Sequence, residues 1–251
     1  LCSLKPNLPR LAMVAQITFS QNGNPLKSKF YTAVIQSHAR LTYSQVKNAL
    51  LDQNAQEQEK IFELMPMLRQ SENLARLLYQ NRKKRGTLDF DLPEPEILFN
   101  FQGETVDIKP KIRHFGHQII EEFMIAANEA VASFLSSSEL PCMYRLHPPP
   151  EEDKLKDLYQ LLKDTLLGTN LPETMDVKGL QELLSLAEDT DLEFLVNRLI
   201  LRSMMQAFYT PENSGHFGLA SECYCHFTSP IRRYADLIVH RFLKSALNKD
   251  T

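Results

Sequence analysis

The feature that most limits how this chain can fold is a long amphipathic pattern between residues 114 and 136. Apolar side chains recur there at the spacing of one helical face. The members of this face are Ile120, Phe123, Met124, Ala127, Val131, Phe134 and Leu135. The pattern predicts one long helix with a buried side, while His117, Glu121 and Asn128 form a polar stripe on the rest of its surface.

Hairpins and further helices are predicted on both sides of that helix. Strands at 11–19 and 30–37 flank the turn-forming residues NGNP, and a second hairpin begins at 97–101 and turns at Gln102 and Gly103. A short strand is expected at 142–146. Further helices are predicted at 42–52, 56–84, 151–167, 177–186, 191–208 and 229–247, the second of them bent at Pro66 and ended by Gly86. The expected class is therefore a helix-rich α+β fold with antiparallel strands and hairpins.

Composition places the chain among ordinary globular proteins, with 43% hydrophobic and 24% charged residues. No apolar run approaches the ~18 residues that cross a bilayer, which predicts no membrane partner and a cytoplasmic location. The four cysteines lack the paired spacing of a structural zinc site, so small buried thiols in a reduced protein are expected. The net charge of −3 argues mildly against nucleic-acid binding.

The basic residues are nevertheless clustered. One cluster is RKKR at residues 82–85, and a second includes Arg232, Arg233, Arg241 and Lys244. The RKKR cluster has two interpretations: a solvated helix C-terminus favoured by the helix dipole, or a contact to a phosphate backbone at the mouth of an RNA channel.

Residues 226–241 have the composition of a helix start that holds an anion. Thr228 and Ser229 are N-cap types, and Pro230 suits the first helical position. Arg232 would then lie in the first turn, beside unpaired N–H groups and the positive end of the dipole, which favours phosphate binding. The buried face would consist of Ile231, Tyr234, Ala235, Ile238 and Phe242. The alternative is an ordinary capped surface helix with two solvated arginines.

Five ordered segments resemble the ribonuclease II / ribonuclease R family of processive 3'-to-5' exoribonucleases. They are LCSL at 1–4 with residues 7–10, RGTLDF at 85–90, IIEEFMIAAN at 119–128, HFGL at 216–219 and HFTSPIRRYADLIVHR at 226–241. The resemblance covers essentially the whole chain. The second and last segments are most similar to bacterial ribonuclease R.

The resemblance implies that residues 1–251 are part of the family's RNB catalytic domain. In the family, an aspartate cluster upstream of the LCSL segment holds the catalytic magnesium ions, and OB-fold-type RNA-binding domains flank the catalytic domain. We expect both to lie outside this chain, which leaves no metal ligands within it. The expected parent is a monomer that hydrolyses single-stranded RNA to nucleoside 5'-monophosphates, while the chain alone is expected to be inactive.

The resemblance assigns the catalytic role to Arg232, the first arginine after the Ser-Pro-Ile step. A guanidinium fixed in place stabilises the negative charge that develops on the phosphate oxygens in the transition state. Arg233 faces another side of the predicted helix and is expected to bind RNA. Asp236 and His240 follow Arg232 at four-residue steps, and we expect them to form an ion-pair ladder on the helix surface.

Three further residues are RNA-binding candidates. The resemblance makes Glu121 a ribose contact that works with Tyr43, because a carboxylate can accept from a 2'-hydroxyl. It makes Phe90 a base-stacking residue, which suits an enzyme indifferent to sequence. From the pattern alone, Glu121 would be part of a solvated helix face, and Phe90 a core residue of a strand.

Two functions from different classes remain open at this point. The first is the exoribonuclease described above. The second is a non-catalytic RNA-binding or regulatory protein with the same fold. A cluster of aspartates upstream of Leu1 would decide for the enzyme.

Overall fold

The computed structural model describes residues 3–90, 95–110 and 114–248. Leu1 and Cys2, which open the LCSL segment, lie outside the described residues. The fold is helix-rich with three antiparallel strand pairs, which confirms the predicted α+β class. The chain divides into two compact units, one formed by residues 1–85, 115–148 and 207–251 and the other by residues 86–114 and 149–206.

The first unit is built around the predicted long helix. Strands β1 (Pro9–Phe19) and β2 (Pro25–Gln36) form an antiparallel hairpin. Its turn contains Gly23 at φ +76°, a conformation that glycine adopts without strain. Helix α4 (Phe115–Ser137) packs against β1, and the short pair β5 (Tyr144–Leu146) and β6 (Phe208–Thr210) follows it.

A hydrophobic core joins the three chain segments of this unit. It includes Phe30 of the hairpin, Val131 and Leu135 of α4, and Val239 and Leu243 of α8 (Tyr234–Leu247). Removal of such side chains from water is the main stabilising term, worth about 1.5–3 kcal/mol for each fully buried aliphatic residue. The core therefore depends on residues from both ends of the sequence.

The helix predicted at 56–84 is interrupted before Pro66, so the predicted bend at Pro66 is wrong. Helix α1 (Tyr43–Leu50) is followed by α2 (Ala55–Lys60), a 3₁₀ turn at Phe62–Leu64 and α3 (Met65–Arg85). The break falls at Ile61, whose φ of −122° and ψ of 26° are not helical. Pro66 sits in the first turn of α3, where its missing N–H leaves no hydrogen bond broken. Gly86, at φ 116°, ends the helix as predicted.

The second unit combines a hairpin with three helices. Strands β3 (Pro95–Phe99) and β4 (Thr105–Pro110) pair antiparallel, and Asn100 closes their turn because its Oδ1 accepts from the backbone N–H of Gln102 and Glu104. Helix α7 (Glu193–Ser203) packs against α5 (Glu152–Lys163) and α6 (Val177–Ala187). The fully buried residues of these helices are Leu158, Leu162, Leu180, Leu183, Val196 and Ile200. No helix within residues 3–90, 95–110 and 114–248 is long and apolar enough to cross a membrane.

Candidate nucleic-acid interface

The buried face of α4 agrees with the predicted one at Val131 and Leu135 but differs from it nearer the start of the helix. Ile120, predicted to be buried, is 43% exposed, whereas Glu122 and Asn128 are 1% and 2% exposed. The predicted polar stripe is therefore not uniformly exposed: Asn128 is buried, His117 and Glu121 are partly exposed, and all three line a surface groove. Buried polar groups need hydrogen-bond partners, and those of Glu122 and Asn128 organise the surroundings of the groove.

The RKKR cluster at the end of α3 supplies the partner of Glu122. Arg82 is 6% exposed and forms a two-bonded ion pair with Glu122, through Nε at 2.8 Å and Nη2 at 2.5 Å. Arg85 pairs with Glu129, about two turns further along α4, at 2.8 Å. Arg82 is therefore buried and paired with a carboxylate of α4, which contradicts a solvated position for this residue, whereas Arg85 keeps 44% of its side chain exposed beside Glu129.

The groove lies along the exposed side of α4 and has a volume of about 360 Å³. Its lining consists of Tyr43, His117, Ile120, Glu121, Met124, Ile125, Asn128, Leu219, Tyr224 and Arg233. Three of the candidate RNA-binding residues, Tyr43, Glu121 and Arg233, therefore meet in one place. The groove combines aromatic rings, a carboxylate and a guanidinium, groups that can contact the bases, sugars and phosphates of a nucleic acid.

Tyr43 is held in the groove by a helix cap and by a ring contact. It is the first residue of α1, whose N-cap Thr42 forms a capping box with Gln45. Its ring stacks on that of His117, with ring centroids 4.2 Å apart and an angle of 27° between the planes. His117 was predicted only as part of a polar stripe; its position four residues before Glu121 is the sequence signal that places both on the same side of α4.

Asn128 ties α4 to the segment that precedes α8. Its Oδ1 accepts from the backbone N–H of Phe227 at 2.9 Å and of Thr228 at 3.3 Å, and its Nδ2 donates to the Tyr224 hydroxyl at 3.0 Å. One buried amide thus satisfies two backbone donors and orients an aromatic residue of the groove. This role explains why a polar residue occupies the buried face of α4.

The predicted start of the last helix is wrong. Ser229 does not cap α8; residues 229–232 form a separate turn, and the helix begins at Tyr234 with Arg233 at the N-cap position. Arg232 therefore lies before the helix and not in its first turn. The predicted buried face is also incorrect, because Ile231 and Tyr234 are 75% and 73% exposed.

The buried face of α8 begins with Asp236, which is 0% exposed. Its Oδ2 accepts from the Ser229 backbone N–H at 2.7 Å and from Arg233 Nη2 at 2.8 Å. His240 is half-buried, stacks on Phe227 and shares a 2.9 Å hydrogen bond with the Phe227 carbonyl oxygen. The predicted ladder on the helix surface is therefore wrong, since both side chains point inward and fix the preceding segment.

The two adjacent arginines have different surroundings. Arg233 lines the groove, its side chain is 22% exposed and it is ion-paired with Asp236. Its Nε is buried and has no hydrogen-bond partner in the part of the chain that the structure describes. Arg232 is exposed and lies outside the groove lining, with Nη2 3.5 Å from Ser229 Oγ. Arg233 is thus held in place, while the guanidinium of Arg232 is available at the surface.

The HFGL segment shapes one wall of the groove through two histidines. His147 Nδ1 accepts from the Gly218 N–H at 2.9 Å, and His216 Nδ1 accepts from the Leu219 N–H at 3.3 Å. Both contacts require an unprotonated Nδ1. Burial, with a smaller contribution from His147, lowers the pKa of His216 to about 4 and keeps its ring neutral. A side chain at Gly218 would meet the His147 ring at 3.1 Å, so this position favours glycine.

Phe90 belongs to the second unit and is not part of the groove lining. It is partly exposed and follows a segment without strand pairing, in which Thr87 and Leu88 are buried. The alternative in which Phe90 is the core residue of a strand is therefore wrong. A partly exposed ring remains compatible with base stacking.

The cysteines fit the expectation of small buried thiols. Cys142 and Cys225 are buried and Cys223 is half-buried, and all three are free. Burial raises the pKa of the Cys223 thiol to about 11, which leaves it protonated at neutral pH. Among residues 3–90, 95–110 and 114–248, no group of three or more His, Cys, Asp or Glu side chains could hold a metal ion.

The chain is similar to known proteins along nearly its whole length. The RNB domain family matches residues 1–249. The ribonuclease R of Aquifex aeolicus is 44% identical over 98% of this chain, and that of Escherichia coli is 41% identical over 100% of it. The chain spans about a third of these relatives, 35% and 31% of their lengths.

Solved structures of related proteins have a similar fold. The Mycoplasma genitalium RNase R in complex with ribose methylated single-stranded RNA has a TM-score of 0.87 and 30% identity, over 98% of this chain and 38% of that one. Yeast Ssd1, described as a pseudonuclease, has a TM-score of 0.70 at 20% identity, over 99% of this chain and 30% of that one, and shares the fold alone. With a family match that covers nearly every residue and homologues named ribonuclease R along its whole length, this chain belongs to the RNB domain family of exoribonucleases.

Proposed function

We propose that the protein containing this chain is a processive 3'-to-5' exoribonuclease that hydrolyses single-stranded RNA to nucleoside 5'-monophosphates. The observation that carries the proposal is the meeting of Tyr43, Glu121 and Arg233 in one groove. An aromatic ring, a carboxylate and an arginine can together contact a base or sugar, a 2'-hydroxyl and a phosphate. The similarity to an RNase R solved with single-stranded RNA supports this choice of substrate.

Arg233 is proposed to bind a phosphate of the RNA before reaction. Its Nε–H is buried without an acceptor in the described residues, and an unpaired buried donor costs about 1–3 kcal/mol. A phosphate oxygen that enters the groove would remove this cost and form a charge-assisted hydrogen bond. The Asp236 carboxylate already holds the Nη2 edge of the same guanidinium, so the arginine binds without further ordering.

Arg232 is proposed as the catalytic arginine. Its side chain is exposed, and its Nη2 lies 3.5 Å from Ser229 Oγ, so the guanidinium is available for the charge that develops during phosphodiester cleavage. The turn of residues 229–232 sets its position, because the backbone N–H groups of Arg232 and Arg233 both donate to the Ser229 carbonyl oxygen, at 3.3 and 3.1 Å. Arg232 thus extends from a fixed turn and keeps a free guanidinium.

Magnesium is the metal we propose for the complete enzyme. The ligands that the resemblance implies are aspartates N-terminal to Leu1. We therefore assign to this chain the binding of RNA and the stabilisation of charge, and not the binding of the metal.

The proposal is tested with the full-length protein and with residues 1–251 alone, each incubated with 3'-end- and 5'-end-labelled single-stranded RNA and magnesium. We expect the full-length protein to shorten RNA from the 3' end to mononucleotides, and the 251-residue segment to leave RNA intact. RNA binding without shortening by the full-length protein would favour the alternative, a non-catalytic RNA-binding protein. The same fold in a pseudonuclease is the reason to include this outcome.

Glu121 is predicted to govern discrimination between RNA and DNA. A carboxylate that accepts from a 2'-hydroxyl loses this partner with deoxyribose, which penalises DNA by the desolvation cost of an unpaired acceptor. In the full-length protein, Glu121→Ala should therefore lower the ratio of RNA to DNA cleavage by about 10-fold or more, through slower RNA cleavage or faster DNA cleavage. The measurement compares matched RNA and DNA strands under single-turnover conditions.

Glu129→Ala is the matched control for this prediction. Glu129 lies on the same helix but pairs with Arg85 and does not line the groove. Its substitution should leave the ratio unchanged. An unchanged ratio in Glu121→Ala would instead mean that Glu121 belongs to a solvated helix face and has no role in sugar recognition.

A further inference from the structure

The surroundings of Asp236 are those of a residue that fixes the position of another side chain. It is 0% exposed, and its Oδ2 accepts both from Arg233 Nη2 at 2.8 Å and from the Ser229 backbone N–H at 2.7 Å. A buried carboxylate costs free energy unless it is paired. On the buried face of α8, an apolar residue would avoid this cost. The charge of Asp236 therefore needs an explanation.

The partners of Asp236 indicate this reason. Arg233 lines the groove with 22% of its side chain exposed, and the ion pair is its one hydrogen-bonded anchor in the described residues. Ser229 begins the turn whose carbonyl oxygen accepts from the N–H groups of both arginines. A single oxygen therefore holds the first residue of the turn and the guanidinium of the residue that follows it.

Asn128 fixes the same segment from the opposite end. Its side chain accepts from Phe227 and Thr228, immediately before the residues held by Asp236. The backbone from 227 to 233 is thus attached to α4 through Asn128 and to α8 through Asp236. Of these two anchors, only Asp236 contacts an arginine side chain.

We infer that Asp236 is a positioning residue, which holds the Arg233 guanidinium in the groove for contact with an RNA phosphate. The inference rests on the proposed function for the identity of the ligand, but it concerns binding and not cleavage. It places Asp236 outside the set of catalytic residues, because it acts through Arg233. Substitution of Asp236 should therefore weaken RNA binding only while Arg233 is present.

The test is a double-mutant cycle on the full-length protein, with ribose-methylated single-stranded RNA as a ligand whose binding is measured by fluorescence anisotropy. Asp236→Asn keeps the shape but removes the charge, and Arg233→Ala removes the guanidinium. We expect each variant to weaken binding about 10- to 100-fold, and the double variant to bind no more weakly than Arg233→Ala. The slope of log affinity against log salt should fall by about one in all three variants.

Two controls separate positioning from general stabilisation. Arg241→Ala removes an exposed arginine of the same helix outside the groove lining and should show no coupling to Asp236. Melting temperatures identify loss of fold; if Asp236→Asn does not fold, Asp236→Glu, which retains the charge but displaces it by one methylene, takes its place in the cycle. A structural role alone would lower the melting temperature and leave the salt slope of the folded protein unchanged.

The inference is overturned if the effects of Asp236 and Arg233 multiply in the double variant, or if Asp236→Asn binds RNA like the wild type. Cleavage of unmodified RNA by the wild type is measured separately. A wild-type protein that binds but does not cleave would reject the proposed enzyme and leave the positioning role standing. A wild-type protein that does not bind RNA would reject both.

Discussion

Arg232→Ala in the full-length protein is expected to reduce turnover about 10²- to 10³-fold with little change in RNA affinity, the usual cost of losing one donor to transition-state charge. The guanidinium is exposed and uncommitted, so it is available for charge that appears only during cleavage. Arg232→Lys keeps the charge but loses the planar fork, and should recover only part of the rate. Single-turnover rates and equilibrium binding, measured on the same RNA, separate the two effects.

Two comparisons complete this experiment. Arg241→Ala, an exposed arginine of α8, should leave both rate and affinity near wild-type values. Arg233→Ala should weaken affinity, because Arg233 lines the groove. If Arg232→Ala weakened binding and preserved the single-turnover rate, the assignment of the catalytic role to Arg232 would be incorrect.

The second large effect concerns stability. Glu122→Ala should lower the free energy of unfolding by about 3–5 kcal/mol, because it leaves the buried Arg82 guanidinium without its carboxylate. The free energy of unfolding is measured by urea denaturation of the full-length protein, from the transition in which this domain unfolds. Glu129→Ala breaks the exposed pair with Arg85 and should cost less than about 1 kcal/mol. Equal losses for the two variants would show that burial does not distinguish these pairs.

The sequence predicted the elements well where local pattern decides the outcome. The helix predicted at 114–136 is Phe115–Ser137 in the structure, and the hairpin around NGNP forms as expected. Helical periodicity and turn composition depend on residues that are close together in the sequence, so they can be read from one sequence alone. The resemblance brought Tyr43 and Glu121 forward as candidates, Arg233 was a candidate from its position beside Arg232, and the structure places all three in one groove.

The errors at Glu122, Asn128 and Asp236 share a physical cause, because each of these polar residues was expected to face solvent and is buried. Glu122 is buried because it pairs with Arg82, which lies 40 residues away in the sequence. Asn128 is buried because it binds Phe227, which lies 99 residues away. The spacing of apolar and polar residues within α4 gives no information about partners so far away in the sequence. The start of α8 was misplaced for a related reason: Asp236, within the helix, captures the Ser229 N–H and makes the preceding turn a separate structure.

The division of the first unit into three chain segments has a consequence during synthesis on the ribosome. Val131 and Leu135 find their partners Val239 and Leu243 only after the intervening residues 136–238 have been made. The 99 residues that separate Asn128 from Phe227 take roughly 5–20 s to translate. During this interval the apolar side of α4 is without its C-terminal cover, while residues 149–206 of the other unit emerge. We therefore expect the nascent chain to be prone to aggregation through α4 until α8 has been made.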